Sequence, residues 1–229
     1  MSSKVTIGCL TIGQSPRPEI INELADLLPR NCRLTELGAL DGQSPTQLLK
    51  ATPVGNEAFY VTLLSDGTEI KVSKLALEGL IRNSLEELQR RGADLAVLLC
   101  TGEFPPMATK IPFFRGSEIT KARVKQEYCG QKIAVVVPDP DQAAHMSQRW
   151  LNLGIQHDIY DCSPYYETEQ SQKLCAQLRK SQVDFIVLDC FGFTLEMANC
   201  FRQQTGKHVL LPREIVGEYI TSYIKTNMK

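Results

Sequence analysis

Two nine-residue stretches decide the fold of this chain: Asp94–Gly102, which reads DLAVLLCTG, and Asp184–Gly192, which reads DFIVLDCFG. They align without gaps, 90 residues apart, and five of the nine positions are identical. Each is a short apolar run typical of a buried strand, and each runs into a cysteine, one further residue and a glycine. A period this long does not fit a solenoid repeat. The repeat therefore predicts two copies of one α/β half.

The segments around the repeat alternate between strand and helix patterns. An Asp-Gly pair between two β-rich runs also predicts one hairpin, and Pro105–Arg115 is predicted to be a loop. This alternation predicts the α/β class, with two similar parallel-sheet halves related by a pseudo-twofold axis and a cleft between them. The predicted strands are Val5–Ile12, Arg33–Leu40, Phe59–Leu64, Glu69–Ser73, Asp94–Leu99, Lys132–Val137, Gln156–Tyr160, Asp184–Leu188 and Val209–Leu211, and the predicted helices are Glu19–Leu28, Leu75–Arg90, Ile119–Glu127, Gln142–Leu153, Glu167–Lys180, Leu195–Gln204 and Glu214–Lys225.

Composition excludes several classes of protein. Hydrophobic residues make up 43% of the 229, which is enough for a core, and the formal net charge of −1 offers no surface for nucleic acid or an anionic membrane. The sequence has no apolar run long enough to span a bilayer and no signal-peptide pattern, so a cytoplasmic protein is expected. It has no phosphate-binding glycine motif and no metal-ligand spacing, so neither a cofactor nor a metal is predicted.

Eight cysteines without a C-x-x-C pair are expected to be reduced thiols, most of them small buried residues. Cys100 and Cys190 are different, because both follow a strand of a parallel sheet, where ligands bind. If the two halves face each other, the two thiols enter one cleft from opposite sides. The alternative is that both are buried residues, repeated only because the halves share ancestry.

Two facing cysteines can perform proton transfer. A thiolate can remove the α-proton of a carboxylic acid while a thiol returns one to the opposite face, which is racemisation without a cofactor. The hydroxyl of Thr101 and backbone amides near Gly102 and Gly192 can hold the substrate carboxylate. A rival use has one cysteine as nucleophile or sole proton donor, in isomerase or decarboxylase chemistry.

Five stretches resemble the AroM family, within the aspartate/glutamate racemase superfamily, over nearly the full length. The resemblance implies a racemase-like fold in which the chain's end returns to the first domain, so the halves would be residues 1–112 with 208–229, and 113–207. It also implies a homodimer, and it makes Cys190 the stronger catalytic candidate. The stretches are Leu10–Pro18 (LTIGQSPRP), Thr62–Gly67 (TLLSDG), Val135–Pro138 (VVVP), Leu188–Phe193 (LDCFGF) and Leu210–Val216 (LLPREIV).

The sequence departs from racemases of this superfamily at both motifs. Thr101 stands where racemases usually have asparagine, and Phe191 stands where they usually have threonine. Both groups would help to bind the substrate carboxylate. The AroM resemblance itself supplies no reaction, because the family has no established one.

Other residues fall at predicted strand ends. Ser15 and Arg17 follow the first strand, and a bidentate Arg17 is suited to a carboxylate, although a solvated loop arginine is the alternative. Phe191 and Gly192 are predicted to line the substrate site beside Cys190. Further candidates, each with an ordinary structural alternative, are Asp66, Glu103, Tyr165, Tyr166, Asp189, Arg213 and Glu214.

The leading hypothesis is therefore a cofactor-free racemase- or isomerase-like enzyme that acts on a small carboxylate through Cys100 and Cys190. The rival is a non-catalytic binding or regulatory protein that recognises a small acid in the same cleft. An aromatic-pathway acid is suggested only by the family's name.

Overall fold

The computed structural model describes residues 4–165 and 169–228. The chain divides into two compact units. The first contains the residues up to Ile119 together with those from Val216 onward, and the second contains Thr120–Ile215.

The first unit is built on a sheet of four parallel strands in the order β2-β1-β5-β6. Strand β5 is buried along its whole length, as its uninterrupted apolar sequence predicts. Helix α3 turns its buried leucine and isoleucine side chains toward the sheet at helical spacing. The elements are β1 (Val5–Thr11), α1 (Pro18–Leu27), β2 (Cys32–Gly38), α2 (Pro45–Lys50), β3 (Phe59–Leu63), β4 (Glu69–Ser73), α3 (Lys74–Arg90), β5 (Leu95–Leu98), β6 (Phe113–Arg115) and α4 (Gly116–Glu127), which crosses into the second unit.

The second unit has a sheet of four parallel strands in the order β8-β7-β9-β10. Its core lies between this sheet and the helices, with Val136, Ile186 and Phe193 fully buried. The elements are β7 (Ile133–Val137), a 3₁₀ turn (Pro140–Gln142), α5 (Ala143–Asn152), β8 (His157–Asp161), α6 (Glu169–Lys180), β9 (Phe185–Leu188), α7 (Leu195–Thr205), β10 (His208–Leu210) and α8 (Pro212–Asn227).

The two sheets have the same topology, which confirms the prediction of two similar α/β halves. Counting only the strands of each sheet in chain order, the first strand is flanked by the second and the third, and the fourth lies at the edge beside the third. Leu98 at the end of β5 pairs with β1, and Leu188 at the end of β9 pairs with β7. Cys100 and Cys190 each lie two residues beyond those strand ends, so they are equivalent positions.

Both boundaries of the second unit differ from the sequence-based division. Residues 113–119 were grouped with the second half, but β6 pairs with β5 and these residues belong to the first unit. Residues 208–215 were grouped with the first half, but β10 is hydrogen-bonded to β9 and these residues belong to the second unit. A short connection from α7 delivers β10 directly to that sheet edge, and α8 then carries the chain back to the first unit.

The predicted hairpin is confirmed, with β3 and β4 antiparallel around Asp66-Gly67. Two short elements were not predicted. Helix α2 begins at a capping box between Ser44 and Gln47, and β6 is a three-residue edge strand directly after the proline-rich loop. None of the helices among residues 4–165 and 169–228 is long and apolar enough to cross a membrane.

Candidate active site

The first thiol, Cys100, lies just beyond β5 and is nearly buried, with 7% of its surface exposed. The chain turns directly after it, so that the amide N–H of Gly102 donates to the Cys100 sulfur over 3.2 Å. An amide that donates to sulfur favours the ionised thiolate over the neutral thiol, because the hydrogen bond is stronger to a charged acceptor.

Tyr60 of β3 closes this turn, a contact that sequence reasoning missed. A Cβ atom added to Gly102 would lie 2.6 Å from the Tyr60 ring, so only glycine fits there. The Tyr60 hydroxyl accepts from the Glu103 N–H at 2.8 Å and donates to the Glu103 carbonyl at 3.3 Å. The hairpin thus holds the residues that follow Cys100 through hydrogen bonds to the backbone of Glu103.

The second thiol, Cys190, lies at the equivalent turn beyond β9 and is half-buried. The amide N–H of Gly192 donates to its sulfur over 3.3 Å, which repeats the geometry of Cys100. Gly192 is also tightly covered, here by Pro164 and Tyr165, whose nearest atoms would lie 2.5 Å and 2.9 Å from an added Cβ. Tyr165 is therefore part of this site, while the other predicted tyrosine, Tyr166, lies outside the described residues.

Arg213, at the start of α8, holds the same turn from another direction. Its Nε donates to the Phe191 carbonyl at 2.8 Å, and one terminal nitrogen donates to the Gly192 carbonyl at 3.1 Å. Only 1% of its surface is exposed. Its neighbour Glu214 pairs instead with Arg202 of α7, at 2.5 Å.

Asp189, immediately before Cys190, is completely buried and is held by α5. It pairs with the guanidinium of Arg149 and accepts a hydrogen bond from the indole N–H of Trp150 at 2.9 Å. The cap of the next helix is supplied by Thr194, which accepts from the Met197 N–H. Asp189 therefore anchors the end of β9 to α5. Trp150 is a core residue whose indole N–H is part of that anchor.

Ser15 lies in the loop after β1, as predicted, and is bound to Asp41. Its amide N–H donates to one Asp41 oxygen at 2.7 Å and its hydroxyl to the other at 2.6 Å. Asp41 also accepts from the N–H of Gly38, so one carboxylate joins the ends of β1 and β2. Asp41 is a site residue that no sequence motif had singled out.

Arg17 is buried rather than solvated, with 5% of its surface exposed. Its Nε donates to the carboxylate of Glu19 at 2.5 Å, and its backbone N–H donates to Glu36 of β2 at 2.8 Å. Arg17 is thus fixed in the loop by two acidic residues. A substrate carboxylate would have to share its guanidinium with Glu19.

The hairpin tip is attached to the loop that contains Ser15. Gln14 donates its N–H to the Leu63 carbonyl at 3.1 Å, and its side-chain oxygen accepts from the Ser65 N–H at 2.9 Å. Asp66 closes the hairpin by accepting from the Thr68 N–H, and these hydrogen bonds lower the pKa of Asp66. Asp66 is thus a turn residue.

Other thiols are buried in ways that disfavour ionisation. Burial raises the pKa of Cys162 to about 11, and the nearby Asp161 charge adds to the shift. Burial also raises the pKa of Cys175 to about 11, and the charges of Cys200 and Cys162 add smaller increases. Among the described residues, no group of three or more histidine, cysteine or acidic side chains is arranged to hold a metal ion.

The family model for the AroM protein matches residues 7–222. This chain belongs to the AroM family. A comparison with curated protein sequences found no match to this AroM chain.

Solved structures with the same fold are enzymes named for several reactions. Allantoin racemase from Klebsiella pneumoniae has a TM-score of 0.66 and 11% identity, covering 98% of the AroM chain and 89% of its own. Maleate isomerase from Pseudomonas putida S16 has a TM-score of 0.63 and 15% identity, covering 96% and 93%. Glutamate racemase from Aquifex pyrophilus has a TM-score of 0.60 and 15% identity, covering 96% and 84%. At these identities the likeness establishes a racemase-like fold for the AroM chain.

Within each unit, the predicted residues of this AroM chain are brought together. Cys100, Thr101 and Gly102 form one turn, and Cys190, Phe191 and Gly192 form the other. The pairing of the two thiols over one substrate stays a prediction.

Proposed function

We propose that this AroM-family chain is a cofactor-independent, racemase- or isomerase-like enzyme that moves a proton on a small carboxylate, with Cys100 and Cys190 as acid and base. The observation that supports this most directly is the repeated turn: at equivalent strand ends, a glycine amide donates to a cysteine sulfur over 3.2 Å and 3.3 Å. Shared ancestry alone explains two cysteines. It does not require both to keep a hydrogen bond that stabilises the thiolate.

The proposed reaction balances without an added reagent. One thiolate takes the α-proton, and the electron pair of the broken C–H bond moves into an enolate-like carboxylate. The opposite thiol then gives its proton to the other face of the same carbon, and the two cysteines have exchanged protonation states. For this the sulfurs must each lie within roughly 3–3.5 Å of the reacting carbon, and so about 7 Å apart.

The substrate carboxylate would be bound beside these turns. The Gly102 and Gly192 amides are directed at sulfur, so in this proposal they stabilise the thiolates rather than the substrate. We assign the carboxylate to the Thr101 hydroxyl and to the loop of Ser15 and Arg17. Phe191 and Gly192 form the wall beside Cys190.

The enzymes that share the fold support this class of chemistry. Two are named as racemases and one as a maleate isomerase, and another is arylmalonate decarboxylase. One solved form of the decarboxylase is a variant in which a glycine became cysteine and a cysteine became serine. Different reactions on one fold are consistent with changes in the number and position of cysteines.

The test is a screen for solvent-deuterium exchange over chiral amino, hydroxy and arylalkyl acids, read by NMR and mass spectrometry. We expect exchange at the α-carbon of at least one acid. Cys190→Ser should reduce its rate by about 100-fold or more, because a positioned acid or base contributes that much. Cys100→Ser should also abolish racemisation, although it can leave one-sided exchange.

Cys129→Ser is the matched control, since Cys129 is an exposed thiol outside both turns, and it should leave the rate unchanged. Exchange that persists in both site variants would refute the roles of the two cysteines. Tight binding of an acid without any exchange would identify the chain as a binding protein instead.

A further inference from the structure

Arg213 has an environment that the proposed chemistry does not yet explain. Its side chain is among the largest fully buried ones in the described part of the chain, with 1% exposed. Burying a guanidinium costs free energy, and an apolar residue of similar volume is often as stable or more so. Two hydrogen bonds of this arginine go to backbone carbonyls of the Cys190 turn.

One peptide group connects Arg213 to the thiol. The Phe191 carbonyl accepts from Arg213 Nε at 2.8 Å, and the N–H of the same peptide group, on Gly192, donates to the Cys190 sulfur at 3.3 Å. A cation on the oxygen of an amide polarises it and strengthens the hydrogen bond that its N–H donates. The charge of Arg213 therefore acts on Cys190 through a single peptide plane.

We propose that Arg213 is a positioning residue that locks the turn from Cys190 to Gly192 and promotes the thiolate of Cys190 through the peptide group between Phe191 and Gly192. This deepens the proposed function, on which it rests for its catalytic meaning, by identifying Cys190 as the cysteine that starts as the base.

The equivalent turn in the first unit is held differently. Tyr60 contacts the residues after Cys100 with a neutral phenol, through the backbone of Glu103. Arg115 donates to the Phe104 carbonyl, which belongs to a peptide group farther along the chain than the one that faces the Cys100 sulfur. The peptide group that faces the Cys100 sulfur is thus not the one that Arg115 binds.

Three other titratable groups lie near the Cys190 turn: Asp189, Cys162 and Tyr165. Asp189 is ion-paired with Arg149 of α5 and also accepts from Trp150, so its charge is compensated. From the segment after β8, Cys162 packs in the same core cluster and Tyr165 covers Gly192. Burial raises the pKa of Cys162 to about 11, so it is neutral at physiological pH.

The test measures the alkylation rate of Cys190 against pH in the whole folded chain, with iodoacetamide as the probe and peptide mass spectrometry as the readout. Arg213→Met should slow alkylation at neutral pH about tenfold and move the midpoint of the profile up by about one pH unit, since one unit corresponds to a tenfold change in thiolate. Arg213→Lys keeps a cation but not the planar fork, so we expect a smaller loss, about threefold.

Arg202→Met is the matched control. Arg202 also bonds a backbone carbonyl, that of Val209 at 2.9 Å, and an acidic side chain, but it does not contact the Cys190 turn. In the Arg202→Met variant, the pH profile of Cys190 alkylation should equal that of the wild type. Circular dichroism and the rate at the exposed Cys129 report whether each variant is folded.

A folded Arg213→Met variant with the wild-type pH profile would overturn the proposal. If the methionine variant does not fold, an unchanged profile in Arg213→Lys would overturn it equally. Because alkylation needs no substrate, the result stands whether or not the exchange screen finds an activity, so the two proposals fail separately.

Discussion

Glu36 shows at the scale of one residue how a parallel strand places a carboxyl group in an unfavourable position. It is half-buried on β2, beside Cys9 on β1, and accepts the Arg17 N–H at 2.8 Å. Burial raises the pKa of Glu36, the charges of Asp41 and Glu19 add to the increase, and the contacts with Arg17 oppose it. The folded state therefore binds a proton at Glu36 more tightly than the unfolded state does.

We expect Glu36→Gln to stabilise the protein at neutral pH. A raised carboxyl pKa means that the wild type loses stability as pH rises from about 4.5 through the folded-state pKa, because ionisation then costs more in the folded chain. Glutamine stays neutral and keeps an oxygen for the Arg17 N–H. Urea unfolding at several pH values should show a higher unfolding free energy for the variant near pH 7.

The same experiment at acid pH is the control for Glu36. Below about pH 4 both side chains are neutral, so the difference between them should vanish. A variant that is less stable than the wild type at neutral pH would contradict the raised pKa.

At the residue scale, the sequence identified the two thiols as equivalent positions, but it did not identify their packing partners. Cys100 and Cys190 were visible because a repeat marks equivalent positions without any knowledge of packing. Tyr60 and Arg213 bind turns 43 and about 20 residues away in sequence, and no local pattern reports such a contact. For Arg17, the family motif identified the residue, but only the structure showed that Glu19 pairs with it.

At the scale of elements, the turns after β5 and β9 depend on glycines that are packed against rings. Gly102 contacts Tyr60, which two hydrogen bonds to Glu103 hold in place. Gly79, in the middle of α3, has open space around it instead. These two glycines make a matched pair, because one is required by packing and the other only weakens its helix.

We expect Gly102→Ala to lower the free energy of unfolding by about 1–3 kcal/mol, as overpacking in a tight site does. Its Cβ would lie 2.6 Å from the Tyr60 ring, which cannot move without losing its bonds to Glu103. Gly79→Ala should instead raise stability by about 0.5–1 kcal/mol. Urea unfolding followed by circular dichroism measures both.

If Gly102→Ala and Gly79→Ala changed the free energy of unfolding equally, the Tyr60 ring would move aside at little energetic cost. In that case the ring does not fix the Cys100 turn.

Most elements could be predicted because their patterns are local. Helix α3 and strand β5 follow directly from apolar spacing. Strand β6 was missed because it consists of only three half-buried residues, which directly follow Pro112. Its pairing partner β5 is also not adjacent to it in sequence. The assignment of β10 failed for a related reason, since a three-residue strand carries no signal that says which sheet it joins.

At the scale of the whole molecule, eight free thiols differ widely in their surroundings. Cys129 and Cys200 are exposed, while Cys9, Cys162 and Cys175 are almost completely buried. Burial raises the pKa of all three buried thiols, to about 11 for Cys162 and Cys175, and the Glu36 charge contributes at Cys9. At about pH 8, a thiol with a pKa near 11 is thiolate only about one part in a thousand.

We therefore expect iodoacetamide to modify the exposed Cys129 and Cys200 in the native protein, and to modify Cys9, Cys162 and Cys175 only after unfolding. Peptide mass spectrometry over a time course at about pH 8 gives the order. In about 8 M urea all eight should react at similar rates, which is the control. Rapid native modification of Cys9 would be incompatible with its place in the first sheet.

The packing partner of the glycine that follows each thiol, Gly102 or Gly192, has one further consequence. In the first unit it is a ring from an inserted hairpin, and in the second it is a proline and a ring from the segment after β8. Both segments lie between the second and third strands of their sheets, in the connections from β2 to α3 and from β8 to α6. Equivalent connections of different length and structure therefore exclude a side chain from both positions.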